Sequence, residues 1–142
     1  MSGDKVPHRI LVGYDGSEEA SRALEFAIGL AGEGGLEIHL AYVVQAPPGM
    51  FAPVLDEVMD SIRAAGEETL ASGARHARNS LVKPITHLES GNPGEALLRL
   101  AESLKPELVV LGATRHSLSE RLLGTVSSTF LKSRKYPLLV VP

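Results

Sequence analysis

Gly and Pro punctuate this chain of 142 residues into an alternation of short apolar runs and longer stretches of helical spacing. Short β-rich runs that are apolar nearly throughout need cover on both faces, and intervening helices supply it. The pattern therefore predicts a parallel sheet flanked by helices, in the order βαβαβαβαβ. The first run, Arg9 to Tyr14, is unbroken by charge after Arg9 and stops at Asp15-Gly16-Ser17. From Ser17 the period changes: Ala20, Leu24, Ala27, Ile28 and Ala31 share one helical face, and Gly32-Glu33-Gly34-Gly35 is expected to end that helix. Leu36 to Val44 reads as the second strand, and the three prolines between Gln45 and Pro53 mark a loop able to cover a neighbouring site.

Leu55, Val58, Ile62, Ala65, Thr69, Ala77 and Leu81 keep helical spacing and predict a long second helix over 54–81. Gly66 and Gly73 are expected to weaken it by up to about 1 kcal/mol each relative to Ala. Ile85 to Glu89 follows as the third strand. Asn92-Pro93-Gly94-Glu95 then combines a capping side chain, Pro at the first helical position and Glu three residues after the cap, so a helix starts there and runs to about Leu104. Leu108 to Gly112 is the fourth strand, a fourth helix begins near Gly124, and Leu138 to Val141 is the fifth strand. The length suits one domain over 1–142, with a core large enough that the lack of Cys removes no needed staple.

In open parallel sheets, ligands bind outside the carboxyl ends of the strands, where successive connections leave for opposite faces. Two connections compete for that role. After the first strand, Asp15, Glu18 and Glu19 place three carboxylates at a helix start, where they repel phosphate. Asp15 there holds a ribose hydroxyl, a base amine or a metal, or else Asp15, Ser17 and the glutamates simply cap the helix. The connection from Gly112 to Ser128 suits anions better. Gly124 permits close backbone approach, and Thr125, Ser127 and Ser128 add hydroxyls to a helix start that carries no acid.

The opening Ile10-Leu11-Val12-Gly13-Tyr14-Asp15-Gly16-Ser17, the Gly-rich fourth connection and the ending Pro137-Leu138-Leu139-Val140-Val141 resemble the universal stress protein family over nearly the whole chain. The resemblance implies a Rossmann-like five-stranded sheet in strand order 3-2-1-4-5 with helices on both faces, which merges the two connections into one cleft. It also implies a homodimer formed through the last strand. Many members of the family bind ATP through a loop of Gly, two residues, Gly, nine residues, Gly, then Ser or Thr. Carried over, that pattern places Gly112 and Gly124-Thr125 on the phosphates and Gly13, Tyr14, Asp15 and Val43 at the nucleoside. Leu111, Thr114, Arg115, Val126 and Ser127 complete the expected binding residues. Eleven residues separate Gly112 from Gly124 where the family pattern has twelve, and Arg115 stands at the middle Gly. Its side chain opposes close backbone approach but brings a fork of cationic donors, joined at mildly acid pH by His116. Either the loop holds phosphate with that help, or Arg115 pairs with an acid such as Asp15 and fills the cleft.

Other chemistry is poorly supplied. No Lys follows Gly112 or Gly124 at the spacing of a kinase-type phosphate loop, no Gly-x-Ser-x-Gly elbow is present, and the five histidines form no His-x-x-x-His pair. No catalytic or metal-binding residue is therefore assigned, and slow nucleotide hydrolysis ranks third among the readings. His39 and His87 read as hydrogen-bonded structural residues within strands. Glu67-Glu68 and Arg75-His76-Ala77-Arg78 read as a solvated helix face. A net charge of −3 without an evident basic face argues against nucleic acid. The first twelve residues lack the apolar stretch of a signal peptide, and no apolar run approaches the roughly 18 residues of a membrane span. The reading is a soluble, cytoplasmic protein. An apolar strand at a sheet edge invites pairing, so Leu138 to Val141 independently predicts homodimerisation. Residues and resemblance together imply a nucleotide sensor for ATP, with Mg²⁺, or another adenine nucleotide, cyclic forms included. Its rival is a dimeric stress interaction module that binds no nucleotide.

Overall fold

A computed structural model describes residues 8–113 and 125–142, the side chain of Glu33 excepted. The expected alternation is present in full: β1 Arg9–Gly13, α1 Glu18–Gly34, β2 Glu37–Val44, α2 Val54–Asn79, β3 Ile85–Ser90, α3 Pro93–Leu104, β4 Leu108–Gly112, α4 Thr125–Ser133 and β5 Leu138–Val141. The strands form one parallel sheet in the order β3-β2-β1-β4-β5. β1 lies at its centre, with Val12 in register with Leu40 on one side and Val110 on the other.

Both faces of β1 are covered. Ile10 and Val12 enter a core with Ala20, Ala23, Leu24 and Ala27 of α1 and Leu70 and Ala77 of α2. Leu11 enters a second core with Ala96, Leu97 and Ala101 of α3 and Phe130 of α4. This double burial explains why β1 reads as an unbroken apolar run instead of alternating. Because α1 and α2 occupy one face and α3 and α4 the other, the chain switches faces at β3, before α3 crosses to β4. The connections leaving β1 and β4 therefore diverge at adjacent strands, the arrangement that opens a crevice.

Local signals set most of the boundaries. Asn92 Oδ1 accepts the Glu95 N–H at 3.0 Å and caps α3, with Pro93 at its first position. α1 passes through Gly32 and ends inside the expected glycine run, at Gly34. Gly35 adopts a left-handed conformation (φ 67°) and its N–H bonds Ala31 O, so it alone closes the helix.

Two expectations for α2 need correction. Leu81 does not share its buried face: the helix ends at Asn79, Leu81 takes φ 65° and is 97% exposed, and Val82 turns inward instead. The Val82 N–H reaches back to Ala77 O at 3.0 Å, which turns the chain so that Val82, not Leu81, meets the core. Ala65 likewise is exposed. Gly66 and Gly73, read as weak points, are buried contact points. A Cβ at Gly73 would lie 2.8 Å from Tyr14 Cε2 and 2.9 Å from Leu40 Cδ2, and one at Gly66 2.9 Å from Leu88 Cδ1. Their missing side chains let α2 rest directly on the sheet. The face bearing Glu67, Glu68, Arg75, His76 and Arg78 is exposed, as read.

The two kinds of helical glycine respond oppositely to substitution. Gly29→Ala in α1 meets nothing within 4 Å and is expected to stabilise the protein by about 1 kcal/mol. Gly73→Ala gains the same helix propensity but is expected to lose about 1–3 kcal/mol to overpacking. Denaturant midpoints of the two variants, shifting in opposite directions, check this.

Candidate functional site

β1 delivers Tyr14 and Asp15 to its carboxyl end. The Tyr14 N–H bonds Ala41 O at 2.8 Å, which extends the β1–β2 ladder by one residue and anchors the turn that follows. Asp15 Oδ1 accepts the Ser17 N–H at 2.9 Å, Gly16 takes φ 83°, and Ser17 Oγ accepts the Ala20 N–H at 3.1 Å. Ser17 thus caps α1, as one of the two readings had it, while Asp15 holds the turn before the cap. Asp15 remains exposed at the crevice, with one carboxylate oxygen committed to the turn.

β4 ends at Gly112, directly beneath the first turn of α1. A Cβ there would lie 2.5 Å from the Glu19 carbonyl carbon, 2.6 Å from Ala20 N and 2.7 Å from Glu19 O. Those neighbours are backbone, so Gly112 is required for packing whatever else it does. Beyond it the Ala113 N–H bonds Val141 O at 2.7 Å. α4 enters on the opposite face with no acid in its first turn. Ser127 near its start is 2% exposed, and its hydroxyl has no partner among the described residues.

These connections enclose one cavity of about 760 Å³. Gly13, Tyr14, Asp15, Val43, Leu111, Gly112, Val126 and Ser127, all singled out from sequence, line it together. Thr125 opens α4 but is exposed and lies off the cavity wall. Thr114, Arg115 and Gly124 lie outside the described residues. Sequence reading missed Gln45 after β2, Ile62 of α2, and Pro93 and Leu97 of α3. The rule that pointed to the carboxyl ends of β1 and β4 extends to β2 and β3, so Gln45 and Pro93 were within its reach. Ile62 and Leu97 arrive only by helix packing.

The cavity has two chemically distinct parts. Ala41, Val43, Leu97, Leu111, Val126 and Ile62 provide apolar surface suited to a flat ring, while Asp15, Glu18 and Glu19 make one wall acidic. No Lys or Arg lines it among the described residues. For an anionic group the favourable end is the start of α4, where first-turn N–H groups and the helix dipole attract negative charge and the Ser127 hydroxyl adds a donor. Among the described residues, no three His, Asp or Glu side chains cluster to hold a metal ion, and no helix is long and apolar enough to cross a membrane.

A doubly wound parallel α/β protein with its crevice at the face-switch point is the class that fold and site define. Residues 7–142 match the model of the universal stress protein family, and the chain belongs to that family. It is 30% identical over 144 residues to universal stress protein MJ0531 of Methanocaldococcus jannaschii, covering 99% of this chain and 85% of that one. A universal stress protein solved in complex with cAMP superposes with a TM-score of 0.71 at 23% identity, covering 97% of this chain and 98% of the other. An Arabidopsis thaliana family member with AMP bound gives 0.70 at 19% identity, covering 95% and 91%.

Gly112→Ala is expected to destabilise the fold by at least the upper end of the about 1–3 kcal/mol usual for overpacking, because α1 backbone cannot rotate out of the way. The denaturant midpoint should fall steeply with or without any ligand present.

Proposed function

We propose that the cleft binds an adenine nucleotide, ATP with Mg²⁺ foremost, and that the protein is a cytoplasmic stress-response sensor or regulator. The observation that carries this is the single cavity in which an apolar wall, the Asp15 carboxylate and the acid-free start of α4 face one space. The bound AMP and cAMP of the two family structures support an adenine ligand. Val43, Leu97 and Leu111 would pack on the base, and the free oxygen of Asp15 would accept from ribose hydroxyls. Gly112 and the α4 N–H groups, with the buried Ser127 hydroxyl, would hold phosphate. Thr114, Arg115 and Gly124 belong to the same connection, where the Arg115 guanidinium would pair with phosphate oxygens. Mg²⁺ would supply charge neutralisation along the phosphate chain. Binding would change the surface offered to a partner, and the protein would sense without turnover.

The acidic wall favours one second reading, in which Arg115 pairs across the cleft with Asp15 and the protein is an interaction module without nucleotide. Calorimetric titration with ATP and Mg²⁺, then AMP and cyclic nucleotides, separates the two. Saturable binding is expected, weakened about tenfold or more in Asp15→Asn, which keeps the acceptor for the Ser17 N–H but loses the charge. Folded protein that takes up none of these nucleotides overturns the nucleotide reading. Phosphate release above a protein-free control that vanishes in Asp15→Ala would show turnover.

The partner in either case is a second copy of the chain. Among the described residues β5 is an edge strand paired with β4 alone, and it is bracketed by Pro137 and Pro142. Phe26 and Leu30 on α1 and Leu131 on α4 are exposed on the two helices that pack against β5. Pairing of Leu138 to Val141 with its equivalent would cover both edge and flanks. Light scattering on a dilution series is expected to show a dimer at micromolar concentration, and Leu139→Lys should give a folded monomer. A monomer throughout refutes it.

A further inference from the structure

The histidines of β2 and β3 play no part in the cleft, yet they are linked to each other and to the sheet centre. On the face covered by α3, Arg9 Nε of β1 donates to Glu37 Oε1 of β2 at 3.1 Å, while Arg9 Nη1 donates to Leu104 O at the end of α3. The same Glu37 oxygen accepts from His39 Nε2 at 2.7 Å. His39 Nδ1 and His87 Nε2 of β3 lie 2.8 Å apart, with ring centroids separated by 5.0 Å. His39 is 4% exposed, and Arg9, Glu37 and His87 are half-buried. One chain of hydrogen bonds thus runs from the central strand to the edge strand.

Its geometry limits the number of protons it accepts. A 2.8 Å gap between two ring nitrogens holds one proton. With His39 donating to Glu37 through Nε2, neutral His39 presents Nδ1 as an acceptor, so His87 donates through its Nε2. The other nitrogen of His87 has no partner among the described residues, and a first added proton can settle there with every link intact. Within the two rings a second has only His39 Nδ1 left. It would set two N–H groups head to head between two cationic rings, of which Glu37 balances one charge.

We propose that this chain is a two-step proton switch on β3, tolerating one added proton and, on the second, giving up the His39–His87 link and loosening β3 from β2. β3 is the element such a loss would free, since among the described residues it is hydrogen-bonded along one edge only and its Ile85 and Thr86 are exposed. The charged groups around the pair are Arg9, Glu37 and Glu89. From α3 the covering residues Leu97, Leu100 and Leu104 are apolar, and Glu95, Arg99 and Glu102 are exposed. Burial, then the nearness of His39, holds His87 below the ordinary 6.5, against the opposing pull of Glu89. The hydrogen bond from His39 holds Glu37 below 4.5, with Arg9 assisting against burial. Both groups bind protons less tightly folded than unfolded, so their stabilisation is full above pH 6.5. The His87 part is lost as pH falls below 6.5 and the Glu37 part as it falls below 4.5.

Amide exchange on the full chain, corrected for intrinsic rates, tests the switch as pH is lowered from about 7 to about 4.5. Protection of β3 is expected to fall about tenfold or more while β1 and β4 hold, and His87→Gln, which still donates to His39 but cannot titrate, should abolish that local fall. An equal fall in His87→Gln, or none in the native protein, overturns the proposal. Should that variant not fold, imidazole nitrogen NMR of the native protein decides. The outer nitrogen of His87 must load first, and protonation of His39 Nδ1 must coincide with exposure of β3. The reverse order, or a doubly charged pair beneath a protected strand, refutes it.

Discussion

The structure depends on the burial of β1 between two neighbours and two helical layers. Its backbone is hydrogen-bonded to β2 and β4, and Ile10, Leu11 and Val12 are each almost wholly removed from water on opposite faces. A strand so placed gives almost nothing of Ile10 to Val12 to solvent, and its chain must emerge at an end. The emergence at Tyr14 and Asp15, beside the emergence of β4 at Gly112, is what makes a crevice there. Burying each such side chain contributes roughly 1.5–3 kcal/mol, so the same residues that position the site also supply much of the drive to fold.

Close approach of backbones is the second constraint, and glycine is where it is met. The first turn of α1 sits on Gly112, and α2 rests on the sheet at Gly66 and Gly73, with Tyr14 wedged against Gly73. Tyr14 is therefore held by packing on one side and by its bond to Ala41 O on the other, which fixes the direction in which Asp15 leaves the strand. Gly112 lines the cavity and carries α1 at once, so a ligand role and a packing role coincide in one residue. This coincidence explains why a motif glycine can look like a binding residue from sequence while its removal acts first on the fold.

The far side of the sheet is held differently. From β1 outward to β3 the contacts become more polar, ending in the Arg9, Glu37, His39 and His87 chain, where the reading of His39 and His87 as hydrogen-bonded residues proves right. Apolar packing is insensitive to pH, whereas this chain carries titratable groups at each step. The sheet thus has a centre held by burial and one edge held partly by protons.

Much of this was legible in the residues themselves. Strand and helix alternation, the Asn92 cap, the Ser17 cap and the solvated face of α2 follow from local chemistry, because periodicity and capping act within a few residues. The parallel order 3-2-1-4-5 and the shared cleft came through family resemblance, and eight of the named site residues do line one cavity. Other features required the tertiary structure. That Gly66 and Gly73 are contact points, that Leu81 turns outward while Val82 turns in, and that His39 meets His87 all depend on which surfaces oppose each other in space. Ile62 and Leu97 join the cavity for the same reason. Sequence by itself determined the elements and their caps, since those depend on neighbours along the chain. Only the tertiary structure decided the contacts between elements, since distances between residues far apart in sequence are set by how whole helices and strands pack.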